Sequence, residues 1–219
     1  MIDISDLLSL ISEHIIDTKQ IFEEIVSPFL KNKLKNKRSD ISIYRAQKLL
    51  SELKKCPEGI KGWKKFEDIC IDIISFGFRD SFRNFKMKVQ SRNYNNMDIR
   101  DAIVQNTGKN FWEEIRHDYN AKNIVFEFKN LSKKIGKEEL IQVSDYLEKG
   151  SLGRVGIIFS RKGLSKSGVE KQRSLLRDAK KLILVLSEND LIDLINKKMQ
   201  KEEPEQILEI LRFEIETSI

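Results

Sequence analysis

The sequence contains few of the residues that build disulfide frameworks, collagen-like repeats or low-complexity linkers. It has 2 Cys, 3 Pro, 10 Gly and 2 His in 219 residues. Cys56 and Cys70 form no CxxC pair, so a disulfide framework is not indicated and a reducing compartment is expected. So little proline and glycine excludes a collagenous or low-complexity chain. His14 and His117 lie far apart in the sequence and do not form a zinc-type spacing.

Long apolar runs are also missing, since none approaches the ~18 residues that a membrane span needs. The N-terminus is acidic and amphipathic, unlike a secretory signal. We therefore expect a soluble, cytoplasmic protein with no membrane partner. Hydrophobic residues make up 40 % of the chain, enough for a sizeable core. Lys+Arg number 40 against 34 Asp+Glu, and the net charge of +6 fits a polyanionic partner.

The first quarter of the chain predicts two helices. Apolar residues recur at helical spacing over residues 3–30. Pro28 and the basic tract at 31–38 predict a break in that pattern. Ser39 or its neighbour would then open a second helix, which stops before Pro57 because a residue that precedes proline is disfavoured in the helical conformation.

These helices define a predicted N-terminal helical region over residues 1–56. The segment PEGIKG (57–62) is the best candidate for a domain boundary. The apolar stripes of the region favour a homodimer or docking onto a partner protein. Packing of the same stripes onto the rest of the chain is the alternative.

Residues 60–219 alternate between helical and strand patterns, which predicts an α/β domain with a central mixed β-sheet flanked by helices. The predicted strands are 85–91, 101–106, 123–130, 154–160 and 182–187. The predicted helices are 63–77, 111–119, 137–148, 166–179, 189–200 and 204–215. The first of these helices carries an apolar stripe that begins with Trp63 and Phe66, and we expect both rings in the core.

The residues that most strongly indicate a metal or catalytic site are Asp101, Glu127 and Lys129. Side chains alternate between the faces of a strand, so Glu127 and Lys129 share one face of an otherwise apolar strand. Burial of either charge alone would be costly, so the pair needs partners or a metal. Asp101 begins another predicted strand. If the two strands are neighbours, two carboxylates and an ammonium converge, which suits a hard divalent cation.

The acid-x-Lys pattern is weak evidence by itself, because it occurs four times in this chain. The other three pairs are Asp17–Lys19, Glu52–Lys54 and Asp178–Lys180. They lie in polar helical stretches, where such a pair is simply solvated. Only Glu127–Lys129 stands in an apolar strand pattern, and this context makes the signal informative.

Seven stretches carry a family resemblance: GWKKFEDIC (62–70), VQSR (89–92), IRDAIVQN (99–106), FW (111–112), IVFEFKN (124–130), IQVSDYL (141–147) and GIIFSR (156–161). Over residues 60–215 the chain thereby resembles the PD-(D/E)xK nuclease superfamily, whose core has the restriction-endonuclease-like fold. The resemblance implies a Mg²⁺-dependent DNA endonuclease, with Mn²⁺ as a substitute, in a restriction or phage-defence setting.

The resemblance also implies roles for individual residues. The strand acid corresponds to Asp101, the x-Lys pair to Glu127 and Lys129, an acid of the first core helix to Glu67, and a helical glutamine to Gln142. Arg100, not proline, precedes Asp101, and this departure makes Asp98 a competitor for the metal. Asp101 is preferred because it directly precedes an apolar run.

In the expected mechanism Asp101 and Glu127 hold the metal, with the backbone carbonyl of Phe128 and the carboxylate of Glu67 as further ligands. Lys129 would orient the attacking water and offset charge on the phosphate. Positive side chains near the site are expected to hold the DNA backbone: Lys86, Lys88, Arg92, Arg100 and Arg161. The rival interpretation is a non-catalytic DNA-binding or assembly subunit that keeps the nuclease fold.

Overall fold

A computed structural model describes residues 27–92, 99–148 and 152–218, with side chains at 41–90, 101–147 and 152–218. The chain divides into two compact units, residues 1–45 and residues 46–219. Most of the helix predicted at 3–30, and the competing acid Asp98, lie outside the described residues. In the part that is described, no helix is both long enough and apolar enough to cross a membrane.

A single helix, α1 (Ser27–Lys55), occupies the stretch where a break and a new start were predicted. The predicted interruption is therefore wrong. Lysine, arginine and leucine are good helix formers, so the basic tract at 31–38 does not end a helix. Pro28 lies in the first turn of α1, where a missing backbone N–H removes no intrahelical bond. The predicted stop is right, because the helix ends just before Cys56 and Pro57.

The remaining elements agree with the predicted order, and their bounds lie within two residues of the predicted ones. The strands are β1 (Met87–Arg92), β2 (Ile99–Gln105), β3 (Asn123–Lys129), β4 (Val155–Ser160) and β5 (Leu182–Leu186). The helices are α2 (Trp63–Phe78), α3 (Phe111–Asp118), α4 (Lys137–Glu148), α5 (Lys166–Ala179), α6 (Glu188–Met199) and α7 (Glu205–Glu216). Short 3₁₀ turns, Ile60–Gly62 and Arg79–Ser81, flank α2.

The five strands form one mixed sheet in the order β1-β2-β3-β4-β5. β1, β2 and β3 pair antiparallel, whereas β3, β4 and β5 pair parallel. Every residue of β4 and β5 is buried, as expected for parallel strands that are covered on both faces. The fold is therefore α/β with a mixed sheet flanked by helices, as predicted.

Two apolar layers form because side chains alternate between the faces of the sheet. One face, with Val104 and Phe126, belongs to a core shared with α2, α6 and α7. The opposite face, with Val125 and Ile158, belongs to a core shared with α4 and α5. β3 lies in the middle, where the antiparallel and parallel halves of the sheet meet. Its carboxyl end positions the candidate site.

Candidate active site

β2 and β3 are neighbours, and their register places Asp101 beside Glu127. Ala102 pairs with Phe126 in the antiparallel ladder, so the next residues along each strand, Asp101 and Glu127, lie on the same face. Asp101 Oδ2 also accepts a hydrogen bond from the backbone N–H of Phe128 at 2.7 Å. Two acids that are 26 positions apart in the sequence (127 minus 101) thus converge on one face of the sheet.

Lys129 joins this pair from the same strand face. Its Nζ lies 2.9 Å from Glu127 Oε1, and the two side chains are only 16 % and 6 % exposed. The same Nζ donates to Gln142 Oε1 at 3.0 Å, and Gln142 Nε2 in turn donates to the Tyr146 hydroxyl at 2.6 Å. α4 therefore carries the glutamine, predicted from the resemblance, next to the lysine. Two acceptors hold the ammonium in place.

Glu67 approaches the same region from α2. It is 3 % exposed, in agreement with its position inside the apolar stripe of that helix. Its Oε1 accepts hydrogen bonds from Gln90 Nε2 at 2.9 Å and from Lys64 Nζ at 3.2 Å. Gln90 was not predicted, although it lies in VQSR (89–92), one of the stretches that carry the resemblance. Gln90 also has a left-handed backbone, with φ of 48°.

Burial and excess negative charge both act on the acids of the site. Burial above all, together with the charges of Glu127 and Glu67, raises the pKa of Asp101 to about 7, against the lowering effects of the Phe128 N–H and of Lys129. The thiol of Cys70 lies near the same acids, and burial above all raises its pKa well above the usual value. Lys129 alone does not neutralise the acids, so a cation at this position would relieve their repulsion.

The oxygen donors at the site fit a divalent cation that is held by few protein ligands. In the described part of the chain, no three His, Cys, Asp or Glu side chains are grouped so as to hold a metal ion by themselves. Mg²⁺ is commonly bound through one or two carboxylates, with water and substrate phosphate completing its shell. Asp101 and Glu127 supply that number. Glu67, whose Oε1 accepts hydrogen bonds from Gln90 and Lys64, stays a predicted further ligand.

The backbone carbonyl of Phe128 stays a predicted further ligand. Along a strand, successive residues direct their backbone groups to opposite neighbours. The Lys129 carbonyl accepts from the Arg161 N–H, on the side of β4, whereas the Phe128 N–H points to Asp101 on β2. The carbonyl of Phe128 is therefore directed toward the side of the sheet that carries Asp101.

The predicted DNA-contacting residues have different surroundings. Lys86 and Lys88 are exposed, and Lys88 pairs with Ile103, which places it on the face that carries Asp101. The side chains of Arg92 and Arg100 lie outside the described ones.

Arg161 needs a correction, because it is only 7 % exposed. Its guanidinium donates to the Leu53 carbonyl at 3.1 Å, lies 3.0 Å from Glu188 Oε2 and sits over the Phe66 ring at 5.6 Å. These contacts use the cation inside the fold and favour a structural role over the predicted phosphate contact.

Trp63 also departs from the sequence prediction. The ring was expected in the core, yet the residue is 55 % exposed, whereas Phe66 in the same stripe is fully buried. The reason is its place at the first position of α2, where the helix begins beyond the edge of the packed core. Helical spacing alone does not show where an apolar stripe leaves the core.

Comparison with known proteins gives a limited match. No family model matches the chain. An Escherichia coli (strain K12) protein named "Putative transposon gamma-delta 80.3 kDa protein" is 32 % identical over 114 residues. That stretch is 52 % of this chain but 16 % of the relative, so the chain spans only a small part of the relative's length. The printed name states no reaction.

Proposed function

We propose that this protein is a Mg²⁺-dependent endonuclease that hydrolyses phosphodiester bonds in DNA. The observation that supports it most is the convergence of Asp101, Glu127 and Lys129 on one face of the sheet. The resemblance to PD-(D/E)xK nucleases adds the expected substrate and the setting of restriction or phage defence. The name of the E. coli relative states no activity, so the proposal takes no reaction from it.

Asp101 and Glu127 would hold the cation through their carboxylate oxygens. When bound, a divalent cation would supply positive charge next to the phosphate and lower the pKa of a coordinated water. The ionised form of Asp101 is the one that binds a cation, so its raised pKa makes cation binding compete with a proton. Glu127 is buried and Asp101 is half-buried, so their contact with bulk water is reduced and charge interactions at the site are strengthened.

Lys129 would act on the water and on the phosphate. A lysine ammonium has three N–H donors, and described residues accept from it at Glu127 and Gln142. A third N–H remains to donate to a water or to a phosphate oxygen. Because Glu127 and Gln142 fix the direction of the ammonium, that third donor is preorganised, as electrostatic stabilisation of a transition state requires.

DNA as the substrate is supported by charge as well as by the resemblance. The chain has a net charge of +6, and two exposed lysines belong to the edge of the sheet: Lys88 lies on the edge strand β1, and Lys86 directly precedes that strand. Exposed lysines contact phosphates without reading sequence. Lys88 shares the sheet face with Asp101, so a backbone that it holds would pass the acids.

The deciding experiment is a cleavage assay on four substrates: plasmid, linear duplex DNA, single-stranded DNA and RNA. Each would be incubated with Mg²⁺, Mn²⁺ or EDTA, using the parent protein and the variants Asp101→Asn, Glu127→Gln and Lys129→Ala. We expect cleavage of DNA only with a divalent cation and only by the parent. The chain offers matched controls in the exposed acid-x-Lys pair Asp178–Lys180. Asp178→Asn and Lys180→Ala should cleave like the parent.

Two outcomes would contradict the proposal. Cleavage that persists in EDTA, or in Glu127→Gln at the rate of the Asp178→Asn control, would show that the site is not responsible. DNA binding without cleavage, together with no Glu127-dependent Mg²⁺ binding in calorimetry, would instead favour the rival interpretation, a non-catalytic DNA-binding or assembly subunit.

A further inference from the structure

The two tryptophans of this chain have opposite surroundings. Trp112 is fully buried, and its indole N–H donates to Glu205 Oε1 at 2.8 Å. Trp63 is 55 % exposed and lies close to Ile60, which is 89 % exposed. Burial of an aromatic ring against a ligand is favourable because it removes apolar surface from water. Trp63 therefore offers a ring that a ligand could cover.

The position of Trp63 relative to the site is determined by α2. Residues four apart on a helix are neighbours, with Cβ atoms about 5–6 Å apart. Trp63 therefore lies one turn before Glu67, on the same side of the helix. Lys64, between them, reaches Glu67 Oε1 at 3.2 Å. The exposed ring therefore lies one helical turn from a carboxylate of the candidate site.

The turn that precedes Trp63 is fastened to the end of β3. Asn130, which follows Lys129 directly, donates from Nδ2 to the carbonyls of Pro57 and Gly59, both at 2.9 Å. The Gly59 N–H donates a hydrogen bond to the Asn130 carbonyl at 2.7 Å. Three hydrogen bonds thus couple the segment before Trp63 to the residue beside the candidate catalytic lysine. The ring is held on a rigid support.

Three lysines lie within two positions of Trp63 in the sequence. The segment Ile60–Lys65 reads IKGWKK, and its three lysines, Lys61, Lys64 and Lys65, are exposed. Lys64 is paired with Glu67 and Asp68 at 3.2 Å each. The nearby acid Glu58 is itself paired with Lys162 at 2.6 Å. Lys61 and Lys65, two positions before and after Trp63 in the sequence, are the other exposed lysines of this segment.

An exposed aromatic ring among lysines is typical of surfaces that bind single-stranded nucleic acid, where bases stack on the ring and the cations follow the phosphates. A paired base in a duplex offers neither face, since both are stacked on its neighbours. We propose that Trp63 stacks on an unpaired nucleobase next to the scissile phosphate and that Lys61 and Lys65 contact the flanking phosphates. This inference rests on the proposed nuclease function and adds its substrate class: DNA with an unpaired base at the site.

Tryptophan fluorescence tests the proposal directly, because stacking on a base quenches an exposed indole. The full-length protein would be titrated in EDTA, so that no cleavage occurs, with a single strand of about 12 nucleotides. The other arms are a blunt duplex of the same sequence and that duplex carrying one unpaired base. We expect quenching by the single strand and by the unpaired base, and little by the blunt duplex. Trp63→Phe should abolish the quenching and leave the emission of buried Trp112.

Binding affinities from the same titrations, read by anisotropy of a labelled strand, provide the second measurement. Trp63→Ala should weaken single-strand binding on the order of tenfold, whereas Trp63→Phe should retain most of the affinity, since stacking needs only an aromatic face. The matched control is Phe213→Ala, which removes a 67 % exposed ring from α7. Its affinity should equal that of the parent. Unchanged circular dichroism shows that each variant is folded.

Failure of this inference and failure of the nuclease proposal are distinguishable. Absence of quenching, together with equal affinities for Trp63→Ala and Phe213→Ala, overturns the stacking role even if the protein cleaves DNA. Equal quenching by the blunt duplex overturns the preference for an unpaired base. Quenching that requires an unpaired base supports the stacking site even if no cleavage is found in the separate assay.

Discussion

The carboxylate of Asp101 accepts a hydrogen bond from the backbone N–H of Phe128 at 2.7 Å, where Asp101 is one residue and Phe128 two residues beyond the registered pair Ala102–Phe126. A hydrogen bond to a side chain therefore replaces the next backbone hydrogen bond between β2 and β3. The contact holds Asp101 beside Glu127 although the two acids repel each other. The pairing of β2 with β3 therefore determines how strongly the charge of Glu127 acts on Asp101.

The stability of the metal-free protein should fall as the pH rises through neutrality. The pKa of Asp101 is about 7 in the folded protein against an ordinary 3.8, so the folded state binds this proton more tightly than the unfolded state does. Its contribution to folding is complete below about pH 4 and is lost as the pH passes about 7. In EDTA, Asp101→Asn should melt above the parent at about pH 8 and close to it at about pH 4.

Thermal unfolding followed by circular dichroism measures this difference. Asp145→Asn, which changes an exposed acid on α4, is the control and should melt like the parent at both pH values. A melting difference for Asp101→Asn that is the same at both pH values would show that the carboxyl does not titrate near neutrality.

Gln142 should act as a positioning residue for Lys129. Gln142→Ala removes the acceptor at 3.0 Å from Lys129 Nζ, so the ammonium loses one of its two fixed contacts. We expect kcat for DNA cleavage to fall roughly tenfold with KM nearly unchanged, because misorientation of a catalytic group lowers the rate more than binding. Gln142→Glu keeps an acceptor and should recover most of the rate. Glu138→Ala, at an exposed position of α4, should behave like the parent.

Substitution of Arg161 should lower stability, whereas substitution of the exposed lysines Lys86 and Lys88 should weaken DNA binding. The Arg161 side chain is 5 % exposed, is paired with the half-buried Glu188 and donates to the Leu53 carbonyl, so Arg161→Ala leaves both acceptors without this donor. Loss on the order of 1–3 kcal/mol in the free energy of unfolding is expected from urea denaturation. Lys86→Ala with Lys88→Ala should leave that free energy unchanged.

The salt dependence of duplex DNA binding tests whether Lys86 and Lys88 contact the phosphate backbone. Each phosphate contact contributes about 0.9 to the slope of log affinity against log salt concentration. The double variant of Lys86 and Lys88 should therefore lower the slope by about one to two. An unchanged slope would show that these lysines do not contact the backbone.

Glu205, the first residue of α7, should stabilise the fold. It is 7 % exposed and accepts hydrogen bonds from the Trp112 indole at 2.8 Å and from the Ser81 hydroxyl. Glu205→Ala leaves both donors without this acceptor and should cost about 1–3 kcal/mol in urea denaturation. Glu205→Gln keeps an oxygen acceptor and should cost less. Glu209→Ala, exposed on the same helix, should cost little, and an equal loss would contradict the assignment.

Gly62 should be intolerant of any side chain. A Cβ there would lie 1.8 Å from the Pro57 carbonyl oxygen and 3.0 Å from Asn130 Nδ2. Gly62→Ala should therefore displace the turn and destabilise the protein by about 1–3 kcal/mol. At Gly136 the nearest atoms to such a Cβ are 3.7 Å away, so Gly136→Ala is the matched control. Equal melting temperatures for the two variants would contradict this prediction.

The helices and strands could be predicted well because their signals are local. The bounds of α4 and α5 coincide with the predicted ones, and β3 differs by one residue. α5 and α6 begin after Ser165 and Ser187, whose hydroxyls accept from the backbone N–H three residues later. The break inside α1 was wrong because a run of lysines is solvated as readily on a helix as in a loop.

Side-chain environments were harder to predict, because burial depends on what the rest of the chain places nearby. Arg161 follows an apolar strand and was expected to face DNA, yet Leu53 and Glu188, far away in the sequence, enclose it. Trp63 continues an apolar stripe but lies where the core ends. Gln90 meets Glu67 only because β1 and α2 approach each other.

By itself the sequence determined the order of elements, the α/β class and the identity of the acid-x-Lys strand, since period and residue type are properties of a few neighbouring residues. Only the tertiary structure decided that β2 lies beside β3 in the register that joins Asp101 to Glu127. That register also decides the protonation of Asp101, because burial and the charges of neighbouring acids act through space. Pairing between distant strands brings these groups together, and the number of residues between them in the sequence does not show that they will meet.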